Sequence, residues 1–263
     1  LHCNNNNLVE LPEDLPHSLL KLYCNDNKLI TITSKLPQSL QRLVCDNCEL
    51  VELPSNLPQS LQELMCNYNN LVELPPNLPQ SLRLLDCSSN KLTELPPNLP
   101  QSLRKLYCDG NNNLVELPPN LPQSLLELVC SHNNLVELPP NLPQSLLKLV
   151  CSHNNLVELP PNLPQSLRKL VCSHNKLTAL PANLHEYRNL IDINYDGNEI
   201  EYIPPHITRF LNRLRGNRYG YGRKSAKLYS DGQNVHNHQI QESIRNSIYA
   251  VMKVKPSITT DEM

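Results

Sequence analysis

Along the first three quarters of the chain, leucine and cysteine return at fixed offsets, with polar residues and prolines between them. One unit places Leu146, Leu149, Cys151, Asn154, Leu156, Leu159, Pro160, Leu163, Pro164 and Ser166 in the pattern L-x-x-L-x-C-x-x-N-x-L-x-x-L-P-x-x-L-P-x-S. Cys3, Cys24, Cys45, Cys66, Cys87, Cys108, Cys130, Cys151 and Cys172 set a period of 21 residues, broken once by 22. Segments such as Lys148-Leu149-Val150 predict one short strand per unit. Leu149 and the cysteine two positions on then turn inward by the two-residue alternation of a strand. The asparagine that follows (Asn27, Asn69, Asn90, Asn133, Asn154, Asn175, Asn198) is placed to turn the chain, its amide satisfying backbone groups that would otherwise be buried unpaired. The proline-rich half, as in Leu138-Pro139-Pro140-Asn141-Leu142-Pro143, cannot be helical and should return extended or polyproline-like.

One such coil cannot bury its apolar face alone, so neighbouring coils stack into a continuous core. The pattern resembles the leucine-rich repeat, and the resemblance covers residues 1 to about 204. It implies a curved leucine-rich-repeat solenoid in the α/β-solenoid class, mostly β, with short parallel strands on the concave face, an extended proline-rich convex side and a short helical C-terminal tail. Residues 1–204 are the expected solenoid of about ten units, 205–233 a basic cap and linker, and 234–263 an amphipathic helix and tail. The extra residue in Cys108-Asp109-Gly110-Asn111-Asn112-Asn113-Leu114 should be a bulge in the turn after its strand. Residues 190–204 keep the frame through Ile193, Tyr195, Asn198, Ile200 and Ile203 but lose the cysteine, as a closing unit would. Leu1 aligns inside a strand with no polar covering unit before it, so the chain is expected to be part of a longer polypeptide.

Composition then acquires a meaning. Twenty-four prolines against six glycines follow from the return halves, and of ten cysteines nine fall on the inward ladder. Cys48 of the formal C-x-x-C pair Cys45-Asp46-Asn47-Cys48 occupies the asparagine position, which gives both members structural roles. No basic and apolar leader opens the chain, and adjacent ladder cysteines would present parallel Cβ vectors poorly suited to a bridge. The reading is of free thiols in a reducing compartment, not of secretion through a disulfide-forming pathway. No apolar run reaches the length of a membrane-spanning helix, so no membrane role is expected.

The string LPPNLPQSL is more specific than the general repeat. It resembles the short L-P-x-x-L-P repeats of bacterial type III secretion effectors that act inside host cells, and equally the cysteine-bearing repeats of mimivirus-like giant DNA viruses of amoebae. The ladder cysteines, the 34 asparagines and the tail favour the viral group. Either resemblance implies a non-enzymatic protein-binding module working in a host cytoplasm. Some effector repeats precede a ubiquitin-ligase domain with a catalytic cysteine, but Cys172, the last cysteine here, lies within the repeats.

Equivalent strand positions of stacked coils form columns on the concave face, where such solenoids usually bind. One column reads Lys21, Arg42, Glu63, Leu84, Lys105, Glu127, Lys148 and Lys169; the next reads Tyr23, Val44, Met65, Asp86, Tyr107, Val129, Val150 and Val171. Mixed charge beside an exposed apolar stripe is the expected recognition surface, although strand preference alone accounts for any one aliphatic residue. His132, His153 and His174, each in C-S-H-N, stack in a further outward column assigned to the same surface. Three imidazoles are suited to a metal or to a response to mild acid. Repeat duplication is the simpler account, because the flanking residues are equally identical across those copies, and with no carboxylate or thiol next to the three in their column no metal is assigned. Glu10, Glu52, Glu73, Glu94, Glu116, Glu137 and Glu158 make an acidic edge with no nucleophile or base beside them, so no catalytic residue and no cofactor is expected.

Charge divides at the end of the repeats. Through residue 208 there are 13 basic and 21 acidic residues, net −8; from 209 onward there are 10 and 4, net +6. Arg209, Arg213, Arg215, Arg218, Arg223, Lys224 and Lys227 interleave with Phe210, Tyr219, Tyr221 and Tyr229, a mixture that can bind nucleic acid. A helical cap over 209–215 followed by a solvated linker is the other reading, favoured because no nucleic-acid motif accompanies the charges. In 237–253, Ile240, Ile244, Ile248, Val251 and Met252 share one helical face. The leading function is a binder of an unidentified protein on the concave surface. Substrate recognition for a larger ubiquitin-ligase-type enzyme and nucleic-acid association through the basic tail are the alternatives.

Overall fold

The computed structural model describes residues 1–32 and 35–216. The helix expected over 237–253 and the basic stretch beyond 216 lie outside these residues.

The repeats build one parallel sheet of three-residue strands: β1 (Lys21–Tyr23), β2 (Arg42–Val44), β3 (Glu63–Met65), β4 (Leu84–Asp86), β5 (Lys105–Tyr107), β6 (Glu127–Val129), β7 (Lys148–Val150), β8 (Lys169–Val171) and β9 (Asp192–Asn194). Their spatial order is their chain order, and each pairs in register with the next, as Leu128 does with Leu149 and Leu149 with Leu170. His2 bridges to Tyr23 in the same sense, so the ladder continues to the start of the chain. Parallel neighbours in chain order, repeated coil after coil, make the described repeats a solenoid.

Four ladders hold the coils together. The central leucine of strands β1 to β8 and the cysteines from Cys24 to Cys172 are fully buried, packed against Leu135, Leu156 and their equivalents from beyond the turn. Burying a leucine stabilises by roughly 1.5–3 kcal/mol, and the repetition of that term carries the fold. The cysteines are all free. Each of Cys24, Cys45, Cys66, Cys87 and Cys108 directs its thiol at a strand carbonyl of the next coil, as Cys66 Sγ does at Asp86 O, 3.3 Å away. The same carbonyl already accepts the cysteine's backbone N–H, as Asp86 O does from Cys66 N at 2.8 Å, so the thiol adds a second, weak contact to a main-chain hydrogen bond.

The asparagine ladder is the polar counterpart. Asn154 Nδ2 donates to Cys130 O at 2.9 Å and Cys151 O at 3.1 Å, while its Oδ1 accepts from Leu135 N at 3.0 Å. Asn111, not assigned to the ladder from sequence, is fully buried within it and accepts from Leu92 N at 3.0 Å. The inserted residue follows Asn111: Leu114 N turns back to Asn111 O at 2.9 Å, and Asn133 Oδ1 takes Asn111 N at 2.8 Å instead. At Cys48 the thiol substitutes, lying 3.4 Å from Cys24 O. A serine ladder closes the far side: Ser166 Oγ lies 2.8 Å from Gln144 O and 2.7 Å from Leu146 O, and Ser39, Ser60, Ser81, Ser102, Ser124 and Ser145 repeat the contact. The prolines run through the extended return, and Pro143, Pro164 and their equivalents bury their rings and begin a turn in which Leu146 N, for example, reaches Pro143 O at 3.0 Å.

After β9 the chain forms one helix, α1 (Pro205–Gly216). Pro205 stands at its first position, where a missing N–H costs nothing. Ile207, Phe210 and Leu211, spaced as one helical face, are buried, and α1 packs on the short 3-10 turn Leu184–Glu186. Arg209 and Arg213 face outward.

Candidate binding surface

Lys21, Arg42, Lys105, Lys148 and Lys169 open their strands, and Tyr23, Met65, Asp86, Tyr107, Val150 and Val171 close them, so all project from the sheet face opposite the buried leucines. The first column is not a row of free charges. Lys105 Nζ lies 2.9 Å and Lys148 Nζ 3.6 Å from the carboxylate of Glu127, Lys169 Nζ is 3.1 Å from Asp192, and Arg42 Nε is 2.9 Å from Glu63. The Arg42 contact is too poorly aligned to count as a hydrogen bond, which leaves attraction of charge alone. Tyr107 Oη also donates to Glu127, at 2.9 Å. Burial acts to raise the Glu127 pKa, but the hydrogen bonds from Lys105 and Tyr107 and the two lysine charges outweigh it and hold it below the ordinary value. These pairs join residues one coil apart, so the column is fixed in place before any partner arrives.

The second column differs from expectation. It is half-buried rather than an exposed stripe, and Val44 is buried outright. The cause is the close spacing of parallel strands, about 4.8 Å, which lets each side chain shelter its neighbours. Arg42 covers the Tyr23 ring at 5.8 Å, and the His2 ring stacks on its other side at 4.4 Å.

His132, His153 and His174 stand in the turn just past the strands, not on the strand face. Their φ angles are all 53°, in the left-handed region, because the chain reverses within three residues of a very short strand. Asn5, Asp26, Asn47, Tyr68, Ser89, Gly110 and Gly197 occupy the same position in other coils, all with positive φ. The imidazoles stack at 4.3 Å between successive centroids with interplanar angles of 11° and 13°. Desolvation, then the charges of His132 and His174, lowers the His153 pKa. Near-parallel rings direct their nitrogen lone pairs side by side instead of toward one point, and among the described residues no group of three or more His, Cys, Asp or Glu side chains is arranged to hold a metal.

Between the strand and the histidine position runs a recessed polar column. Asp46 there is raised to about 6, chiefly by desolvation, although Asn67 N donates to its Oδ1 at 3.2 Å. Asp86 beside it is also raised by burial. Ser88 Oγ donates to Asp109 at 2.8 Å, and Ser152 and Ser173 share a 2.9 Å hydrogen bond.

The exposed apolar column lies elsewhere, three residues beyond the asparagine ladder. Val9, Ile30, Val51 and Val72 form one run and Val115, Val136 and Val157 a second, each side chain 47–64% exposed. The glutamate column follows immediately and is exposed throughout. The recurring Leu-Val-Glu-Leu of the sequence carried this signal: a β-branched residue held between two buried leucines must point outward.

A profile of the Leucine Rich Repeat family matches residues 81–103. Among solved structures, YopM from Yersinia enterocolitica is 32% identical with a TM-score of 0.54, the alignment covering 77% of this chain and 52% of that one. This chain thus spans about half the length of that protein. The leucine-rich-repeat domain of a Shigella effector is 36% identical with a TM-score of 0.54, over 66% of this chain and 75% of that one. A chain in the octameric complex of Latrophilin 3, Unc5D and FLRT2 shares the fold at 20% identity and a TM-score of 0.52, over 88% and 91% of the two chains. A search of curated proteins returned no match. With its coil-by-coil ladders and its likeness to the Shigella effector domain over three quarters of that domain's length, the chain belongs to the leucine-rich-repeat family.

Proposed function

We propose that the protein is a non-enzymatic binding module that holds a protein partner across its concave strand face, as a factor acting in the cytoplasm of a host cell. The observation that carries this reading is the organisation of that face. Glu127 ties Lys105, Tyr107 and Lys148 into one inter-coil network beside the half-buried Val129 and Val150. Side chains already held in position lose little further freedom on binding, which favours affinity. The neighbouring effector structures support the host-cell part of the reading, and the Latrophilin 3, Unc5D and FLRT2 complex shows the fold in a protein assembly. Because the chain spans only about half of YopM and matches what is a domain of the Shigella protein, recognition on behalf of a larger polypeptide, such as a ubiquitin ligase, is the second reading.

The test places a photoreactive amino acid at Tyr107 or Val150 and, as a control, at convex Asn141, in the full chain added to animal or amoebal cell lysate. Cross-linking of one discrete protein from 107 and 150, lost with Glu127→Ala and absent from 141, is the expected result. Cross-links from 141 alone would overturn the concave assignment.

A further inference from the structure

The ridge beyond the asparagine ladder is a second surface, separate from the concave face and not required by that reading. Its register is set by main-chain hydrogen bonds from coil to coil: Asn134 N reaches Leu114 O at 3.0 Å, Asn155 N reaches Leu135 O at 2.8 Å, and Lys176 N reaches Leu156 O at 2.9 Å. Val115, Val136 and Val157 therefore stand in line on successive coils, half exposed, each followed by an exposed glutamate, Glu116, Glu137 or Glu158. None of these carboxylates forms a salt bridge among the described residues, whereas the charges of the strand column from Arg42 to Lys169 are paired. The preceding column holds Asn113, Asn134 and Asn155 on these three coils, with lysines only on the coils to either side, Lys91 and Lys176. An aliphatic strip beside an uncompensated acidic strip is complementary to a surface that pairs aliphatic with basic residues.

We propose that this ridge, centred on Val115, Val136 and Val157, docks an amphipathic helix of a partner protein whose apolar stripe is flanked by lysine or arginine. Spacing selects the helix. Successive coils repeat at about 4.8 Å, and a helix laid along the ridge returns a side chain to one face about every 5.4 Å. The mismatch of roughly 0.6 Å per coil reaches only about half a coil after four coils. An extended peptide returns the same face every 6.6–6.8 Å or so and loses register within two. Charge selects the sign: a second copy of this chain would bring a like acidic column against the first, while a basic flank finds a glutamate on every rung.

The experiment uses the full chain and a fluorescein-labelled, end-capped 18-residue helical peptide with leucine on one stripe and lysine on both flanks, beside the same peptide with glutamate for lysine. Anisotropy titration is expected to show salt-sensitive binding of the lysine peptide alone. The triple variants Val115→Ser, Val136→Ser, Val157→Ser and Glu116→Gln, Glu137→Gln, Glu158→Gln should each weaken it about tenfold or more. All six positions are exposed, so circular dichroism melts should match the parent. Tyr107→Ala with Lys148→Ala should leave the affinity unchanged, which keeps this result independent of the concave reading. Equal affinity for parent and ridge variants, loss of binding in the concave variant instead, or a dimer in sedimentation that the serine variant converts to monomer would each overturn the proposal.

Discussion

Replacing Asn154 by alanine removes one rung of the asparagine ladder, and the consequence can be followed bond by bond. Nδ2 donates to Cys130 O and Cys151 O, with Ser152 O sharing a proton at 3.2 Å, and Oδ1 accepts from Leu135 N. The two cysteine carbonyls do not become orphans. Cys130 O keeps Asn133 Nδ2 at 3.0 Å, and Cys151 O keeps Asn175 Nδ2 at 3.0 Å. The Leu135 N–H, however, is buried with no other acceptor. Stranding a buried donor costs about 1–3 kcal/mol, and each of the two further lost bonds about 1 kcal/mol. The sum is about 4 kcal/mol, which for a folded unit of this size corresponds to a fall of very roughly 10 °C in melting temperature.

Cys48 provides an internal control. Its thiol contacts Cys24 O and takes hydrogen bonds from the backbone of Asn27 and Leu29, so both halves of the asparagine function survive in weaker form. Asn154→Cys is therefore expected to cost about half as much as Asn154→Ala. Urea unfolding followed by circular dichroism measures both, and amide exchange at Leu135 reports the stranded donor directly. If Asn154→Ala unfolds within about 1 kcal/mol of the parent, or if cysteine is as damaging as alanine, the ladder is not the source of inter-coil cohesion argued above.

Gly197 has φ +68°, and a Cβ there would stand 2.6 Å from His174 Nδ1; Gly197→Ala should cost about 1–2 kcal/mol in thermal melts, and adding His174→Asn should return the steric part, with full additivity refuting the contact. Burial pushes the thiols of Cys45, Cys66, Cys87, Cys108, Cys130 and Cys151 well above their ordinary value, whereas Cys3 is half-buried at the chain start. Alkylation read by mass spectrometry should label Cys3 first and the ladder only on global unfolding; equal rates at Cys130 and Cys3 would contradict a closed core. Asp46 titrates near 6 in the folded chain, against about 3.9 when unfolded, so its ionisation is a burden on the fold. Asp46→Asn keeps the acceptor for Asn67 N and should stabilise fully above pH 6. The gain should shrink as pH falls from 6 and vanish below about 4, and it should stay under about 2 kcal/mol because solvent reaches the group. Urea midpoints across that range decide it.

What could be read in the sequence was whatever repeats with one chemical answer. Leu149 and Cys151 recur at positions where only burial is consistent with a two-residue alternation, and the strands followed from that alone. Position-specific exchanges were harder. Asn111 joins the ladder one residue before an insertion, so a frame fixed on spacing to the next leucine passes over it. The ion pairs of Glu127 need side chains one coil apart to bend toward each other, and a column of letters records neighbours without conformers. The left-handed turn position was hidden for another reason: Asn5, Asp26 and Gly110 share it with Tyr68 and Ser89, which do not usually signal positive φ, and stacking of the rest of the coil overrides the preference of those two.

The misplaced apolar stripe follows the same logic and bears on function. On the strands, close neighbours cover one another, so Val44 and Val150 present less surface than their column of aliphatic letters implies. Past the turn, Val136 is held between Leu135 and Leu138, both buried, and has only solvent to face. Exposure in a solenoid is thus decided by where in the coil a residue sits, not by how apolar its column is. The concave face is consequently a polar, internally paired surface with little bare hydrocarbon, suited to a partner that matches its charges. Bare hydrocarbon, and the acid beside it, is concentrated on the ridge.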